Sequence, residues 1–101
     1  MFIVAKDGRS IINANNITSI YIGADGCTIK ADFENGKGCQ IARYDADKFS
    51  KIAMDIIANS IDGNSTICYM PDNKSIQAKL NLEEQKYHHL TGKKNKGHGG
   101  S

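Results

Sequence analysis

The alternation of apolar and polar positions predicts short antiparallel strands in the first half of the chain. Every second residue between Cys27 and Phe33 is apolar, the pattern of a strand with one buried face. The preceding segment, 17–22, is rich in β-branched residues and ends at a glycine. Residues 2–5 and 10–13 flank an Asp-Gly pair typical of hairpin turns. Together these segments predict a β-meander.

The turn that follows residue 33 decides which face of the next strand is buried. A two-residue turn at Asn35-Gly36 would leave Cys39 and Ile41 on the solvent side. A three-residue loop over 34–36, with its glycine left-handed, would turn both inward. They would then lie beside Ala31 and Ile29, respectively. We expect the longer loop because it buries more apolar surface. The outer face would then carry Thr28, Lys30, Asp32, Gln40 and Ala42.

One main helix is predicted between Asp45, a good N-cap residue, and Gly63, which can adopt a left-handed conformation after the last turn. Its polar residues form one narrow stripe. One apolar flank consists of Phe49, Ile52, Ala53, Ile56 and Ser60, and the other of Met54, Ile57, Ala58 and Ile61. A helix that only covers a sheet needs an apolar arc of roughly 100° or a little more. We therefore expect later segments or another subunit to cover the second flank.

The C-terminal third is predicted as two further strands and a tail. Residues 66–70 form a strand candidate, and alternation from Ile76 to Leu82 favours a strand over a helix. Residues 83–101 read as a basic tail rich in Gly, Lys and His that we expect to be disordered. The predicted fold class is α+β: an antiparallel β-meander sheet of four to six strands packed by one main α-helix, with a flexible C-terminal tail. Residues 1–82 would form the single domain.

Charge is unevenly distributed along the chain. Residues 1–85 carry nine basic and eleven acidic residues, a net charge of −2, whereas the remainder has a net charge of +4. The basic residues of the tail are Lys86, Lys93, Lys94 and Lys96. They could contact nucleic-acid phosphates, although Tyr87 is the only aromatic residue near them, so stacking on successive bases is not provided for. The other interpretation is a solubilising tail.

The chain offers no recognisable catalytic or metal-binding pattern. No histidine precedes His88, so a Cys-His or Ser-His pair would need the tail to supply its base. The three cysteines are widely spaced, with no CxxC pair. We expect a non-enzymatic protein with no cofactor and no metal site. The longest apolar run, 1–5, is too short to cross a membrane, and no basic start precedes it, so we expect a cytoplasmic protein.

Two groups of residues are candidate interaction sites. Met54, Ile57 and Ile61 lie on the second apolar flank of the predicted helix. Arg43 and Tyr44 lie at the junction between sheet and helix, and both residue types are enriched in interfaces. These groups predict a homo-oligomer and a protein partner.

Residues 1–71 resemble a group of small uncharacterised proteins from Firmicutes genomes and their prophages. The resemblance depends on the segments 2–8 and 17–22, on Tyr44-Asp45 before the helix, on 69–71 after it, and on the ending 96–101. It implies a phage or mobile-element protein and transfers no activity.

Residues 2–52 also resemble LytTR-type DNA-binding domains. Both show a strand, an I-x-x-I-x-I strand, a strand ending in G-K and a helix. In those domains an aromatic, basic segment after the helix reaches DNA, whereas residues 64–70 contain no basic residue here. The resemblance therefore implies an architecture only.

From these observations we expect a non-enzymatic interaction module of phage or mobile-element type. It would act by binding a host or phage macromolecule as a homo-oligomer. One alternative is a nucleic-acid-binding protein that uses its basic tail. Another is an oligomer that sequesters a small ligand between subunits.

Overall fold

The structure, a computed structural model, describes the backbone of residues 1–97 and the side chains of residues 1–85. The strands are β1 (Phe2–Val4), β2 (Ile11–Asn13), β3 (Ile17–Ile22), β4 (Thr28–Phe33), β5 (Gly38–Arg43) and β6 (Ile67–Tyr69). The helices are α1 (Asp47–Asp62) and α2 (Asn73–Gly97), and a single 3₁₀ turn spans Ala14–Asn16. The predicted α+β class is confirmed.

The strands form two three-stranded sheets where the sequence predicted one meander. The N-terminal sheet has the order β2-β1-β6, and the central sheet has the order β3-β4-β5. The central sheet is antiparallel, but β6 runs parallel to β1. Parallel neighbours need a long connection, which the intervening chain with α1 supplies. The two sheets meet where the Lys6 N–H donates to the carbonyl oxygen of Ile41 at 3.1 Å.

The three-residue loop between β4 and β5 is confirmed. The Phe33 N–H donates to the carbonyl oxygen of Lys37 at 2.7 Å, which leaves residues 34–36 in the loop. Gly36 has a φ of 83°, a left-handed conformation that glycine adopts without a steric penalty. The predicted pairing of Ala31 with Cys39 follows.

A β-bulge changes the face of the sheet that later residues of β5 occupy. The register shifts after Ile29, which pairs with Ala42 and not with Ile41. Ile41 and Ala42 are consequently both buried, so the predicted exposure of Ala42 is wrong. The predicted exposure of Thr28 is also wrong, since this side chain is buried and donates its hydroxyl hydrogen to Asp25 Oδ2 at 2.6 Å.

Helix α1 begins one residue later than expected. Ala46 is its N-cap, without a side-chain hydrogen bond, and Asp45 instead donates its backbone N–H to Asn73 Oδ1 at 3.0 Å. The first turn is held to the turn between β3 and β4 by Ser50, a fully buried residue whose hydroxyl lies 2.6 Å from the carbonyl oxygen of Gly26. A tertiary contact therefore replaces the predicted cap.

The C-terminal end of α1 also differs in detail from the prediction. Gly63 has a φ of −82° and donates its N–H to the carbonyl oxygen of Asn59 at 2.9 Å, so it continues the helical pattern. The left-handed residue is Asn64, with a φ of 55°. Asparagine is among the residues that adopt this conformation most readily after glycine.

The predicted strand over 76–82 is wrong, because these residues belong to α2. The Asp72 carboxylate accepts the N–H of Ser75 at 2.7 Å, as the side chain of an N-cap residue does. Ile76 is 1% exposed and Leu80 half-buried, whereas Leu82 is 60% exposed. Apolar residues four apart satisfy both a period of two and a helical period, which explains the error.

Helix α2 continues to Gly97, where the sequence predicted a disordered tail from residue 83. Glu83, Glu84 and Gln85 are straight-chain residues that favour helix once it has begun. Residues 98–101 lie outside the described part of the chain.

One core joins both sheets and both helices. Its buried residues are Ile3, Ile12, Ile29, Ala31, Ile41, Ala42, Tyr44, Phe49, Ala53, Ile57, Cys68, Met70 and Ile76. Helix α1 lies at its centre and contacts β3, β4, β6 and α2. The position of α1 therefore determines which parts of the sheets are covered.

Replacing Ile76 with alanine tests the packing of α2. We expect Ile76→Ala to lower the free energy of unfolding by about 2–5 kcal/mol, because a buried aliphatic side chain leaves a cavity. The matched variant Leu82→Ala should change it by less than about 0.5 kcal/mol, since Leu82 is exposed. Urea unfolding measures both. Equal losses would contradict the helix, because a strand would put both residues on one face.

Candidate functional site

An apolar groove of about 330 Å³ separates α1 from β3. It is lined by Ala14, Ile17, Thr18, Ser19, Ile20, Met54, Ile57, Ala58 and Ile61. Three of these residues, Met54, Ile57 and Ile61, are the interaction residues that the sequence predicted on the second flank of the helix. The structure brings them together against β3.

The helical wall of the groove becomes more exposed with distance from the core. Ile57 is 2% exposed, Met54 is half-buried, and Ile61 is 56% exposed. Helix α2 packs against α1, but none of its residues from 73 to 85 lines this groove. The sequence predicted that either later segments or another subunit would cover this flank. The later segments that the structure describes do not cover it.

The opposite wall, β3, is an edge strand of the central sheet. The Gly23 N–H donates to the carbonyl oxygen of Thr28 at 2.8 Å, and residues bonded to a neighbouring antiparallel strand alternate. Ile20 and Ile22 therefore direct their N–H and C=O groups toward the open edge. Natural edge strands are usually protected by charged residues or proline, and residues 17–22 contain neither.

Polar contacts on the outer side hold β3 in place. The Asp32 carboxylate accepts hydrogen bonds from Ser19 Oγ at 3.4 Å and from Tyr21 Oη at 3.3 Å. Desolvation and the nearby Asp32 charge raise the pKa of Tyr21. A bulge lies between Ile17 and Ser19, and the Thr18 hydroxyl donates to the carbonyl oxygen of Asp32 at 3.2 Å. Contacts within the chain therefore keep β3 ordered, while the backbone N–H and C=O groups at its edge remain accessible to another strand.

Arg43 and Tyr44, the other predicted interaction residues, lie away from the groove. Tyr44 is 3% exposed, and its hydroxyl donates to the carbonyl oxygen of Pro71 at 2.7 Å. Burial raises its pKa, and the Lys6 ammonium lies 5.4 Å from the centre of its ring. Tyr44 therefore joins β5 to the segment before α2 and presents little surface to a partner, whereas Arg43 is exposed.

Arg43 borders a polar depression of about 610 Å³. Its lining residues are Lys6, Asp25, Cys27, Arg43, Tyr44 and Asp45. Two acidic residues offset two basic ones, so no net charge favours a charged ligand. Asp25 is also committed to the turn: the Thr28 hydroxyl and the Cys27 N–H lower its pKa to about 2. Asp25 therefore stabilises the turn that precedes β4.

Sequence reasoning missed a second apolar surface, the outer face of the N-terminal sheet. In its register, Phe2 pairs with Ile67, and Val4 lies between Ile11 and Tyr69. Ile11 is 71% exposed and Tyr69 is 68% exposed. Strands of three residues are too short to show alternation, and Ile11 is followed by a second isoleucine, so no sequence signal distinguished the outer face.

The remaining predictions concern the tail, metals and membranes. The side chains of Lys86, Lys93, Lys94 and Lys96 lie outside the described residues, so their contact with nucleic acid stays a prediction. No cluster of three or more His, Cys, Asp or Glu residues suited to a metal occurs in the described part of the chain. Nor does any described helix combine the length and apolarity that crossing a membrane requires.

Comparisons with protein families, with curated proteins and with solved structures found no match to this chain.

The role of Tyr44 is tested by removing its hydroxyl group. Tyr44→Phe should lower the free energy of unfolding by about 1 kcal/mol, because the half-buried carbonyl of Pro71 loses its donor. Tyr69→Phe is the matched control and should change it by less than about 0.5 kcal/mol, since Tyr69 is exposed. Chemical denaturation measures both. An unchanged Tyr44→Phe would show that the hydrogen bond does not stabilise the fold.

Proposed function

We propose that this protein is a non-enzymatic interaction module that binds an extended segment of a protein chain in the groove between β3 and α1. The observation that carries the proposal is the open, uncharged edge of β3 directly beside an apolar groove. The sequence resemblance of residues 1–71 supports a phage or mobile-element setting. The free thiols of Cys27, Cys39 and Cys68 suit the reducing cytoplasm that we propose as its location.

The backbone of β3 would supply the affinity. An extended segment that pairs with the edge can bond to the N–H and C=O groups of Ile20 and Ile22 without any rearrangement of the sheet. Strand addition of this kind is a recurrent mode of peptide recognition, in which main-chain hydrogen bonds hold the segment and pockets select alternate side chains.

The groove would supply the selectivity. Side chains of hydrogen-bonded residue pairs in neighbouring strands lie on the same face of a sheet. A residue bonded opposite Ile20 would therefore direct its side chain over Met54 and Ile57, and its two neighbours would face away. This arrangement favours a segment with an apolar residue at every second position.

Small-ligand sequestration is supported less well by the same groove. Among the described residues that line it, only Thr18 and Ser19 have polar side chains and none is charged. Small-molecule sites usually combine an apolar pocket with several convergent polar groups that fix the ligand's orientation. A protein strand needs no such groups because the sheet edge orients it.

Selection from a display library of short random peptides tests this function. The protein is immobilised at sparse density so that two copies cannot meet. We expect enrichment of peptides with apolar residues at alternate positions. Their binding should fall by about tenfold or more in Ile61→Lys, because an ammonium group would have to be desolvated at the rim of the groove.

The matched control is Ile11→Lys, which makes the same substitution at an exposed site on the other sheet. It should bind the selected peptides as the unmodified chain does. Failure to enrich alternating peptides, or equal losses in the two variants, would contradict the proposed function.

A further inference from the structure

We infer that the segment received by the groove is β3 of a second copy of this chain, paired antiparallel across a two-fold axis. This inference rests on the proposed function and names its partner. The two central sheets would join through their open edges into one continuous sheet of six strands, with the order β5-β4-β3 in one copy followed by β3-β4-β5 in the other.

Strand β3 has the properties that the groove selects. Ile20 and Ile22 alternate with Tyr21, and both pack on the α1 side of the sheet. Residues 17–22 contain no proline, so every N–H is present, and no charge, so two copies can meet without repulsion between like charges. A strand that is both an open edge and a suitable occupant is self-complementary.

A two-fold axis near Ile20 and Tyr21 would place β3 of each copy beside the groove of the other. Symmetric dimers bring the same surface of both subunits together in opposite directions. Ile20 and Ile22 of each copy would then lie beside the groove of the other, and the two α1 helices would become antiparallel neighbours on one face of the joined sheet. The exposed side of Ile61 would be covered in both copies.

Charge on α1 favours this antiparallel arrangement. Lys51 lies three residues before Met54, and Asp62 lies four residues after Ala58, so both border the helical wall of the groove. Of these two residues, the positive one lies near the start of the helix and the negative one near its end, and Asp55, three residues before Ala58, lies between them. Reversal of one helix would place Lys51 of each copy near Asp62 of the other, whereas parallel helices would bring like charges together.

The outer face of the N-terminal sheet is the competing apolar surface. Its strands have three residues each, so the face extends only about 10 Å along the strands. Its middle strand already has a neighbour on both sides. This face therefore serves as the control surface in the test below.

Sedimentation velocity and light scattering on the full chain, from low to high micromolar concentration, test the dimer. We expect the unmodified chain and Ile11→Lys to form dimers. Ile61→Lys should weaken the dimer about tenfold or more, equivalent to at least about 1.4 kcal/mol, because each interface would then hold two desolvated ammonium groups. A monomer at high micromolar concentration, or equal dimerisation of both variants, would overturn the inference.

A charge exchange tests the antiparallel direction. Lys51→Glu should weaken the dimer several-fold, because each interface would then bring acidic residues together at two equivalent places. Combining it with Asp62→Lys restores opposite charges and should recover the original dissociation constant. A dimer unaffected by Lys51→Glu, or no recovery in the double variant, would contradict the proposed pairing of the helices.

The two proposals fail in distinguishable ways. A strict monomer that still binds alternating peptides at sparse density would overturn the second-copy inference and leave the proposed function intact. A strict monomer that selects no peptides would overturn both.

Discussion

The packing of α1 against both sheets at once is the constraint on which the rest of the structure depends. Ala53 and Ile57 are buried at the centre of a core that draws on the N-terminal sheet, the central sheet and α2. A single helix of 16 residues cannot cover all of these surfaces. It contacts β3, β4 and β6, and a groove opens between it and β3, an edge strand of the central sheet. The groove is therefore a part of the sheet surface that α1 leaves uncovered because it packs against both sheets and α2.

The same constraint explains why the edge of β3 stays open. No fourth strand lies beside it in the described part of the chain, because β6 pairs with β1 and Asn73–Gly97 form a helix. Contacts with Asp32 keep β3 ordered from its outer side. An ordered strand with open backbone groups needs little reorganisation on pairing, and a preorganised surface loses less entropy when it binds.

Local signals in the sequence predicted the elements near them and failed where distant residues decide. The loop at 34–36 follows from burial within a single hairpin, and it was predicted correctly. The parallel pairing of β6 with β1 depends on residues far apart in the chain, as does the bond from Tyr44 to Pro71. No local sequence pattern predicts the strand pairing or this hydrogen bond. Ile76 and Leu80 fit two periods equally well, and only contact with the core distinguishes helix from strand.

The candidate site was predictable in part for the same reason. The excess apolar arc of α1 is a local property, and it identified Met54, Ile57 and Ile61 as a surface in need of a cover. The other wall could not be inferred, because the position of β3 at an edge depends on the strand order of the whole sheet. Tyrosine is a residue type enriched in interfaces, but Tyr44 is buried. Only this burial shows that its contacts lie within the fold.

The most direct test of the central claim is hydrogen exchange at the backbone amides of β3, measured as a function of protein concentration. The amides of Ile20 and Ile22 should exchange slowly at high concentration and quickly on dilution. The amide of Tyr21, which bonds to β4, should stay protected throughout. Fast exchange at Ile20 and Ile22 at every concentration would contradict pairing between two copies, because the edge of β3 would then remain unpaired.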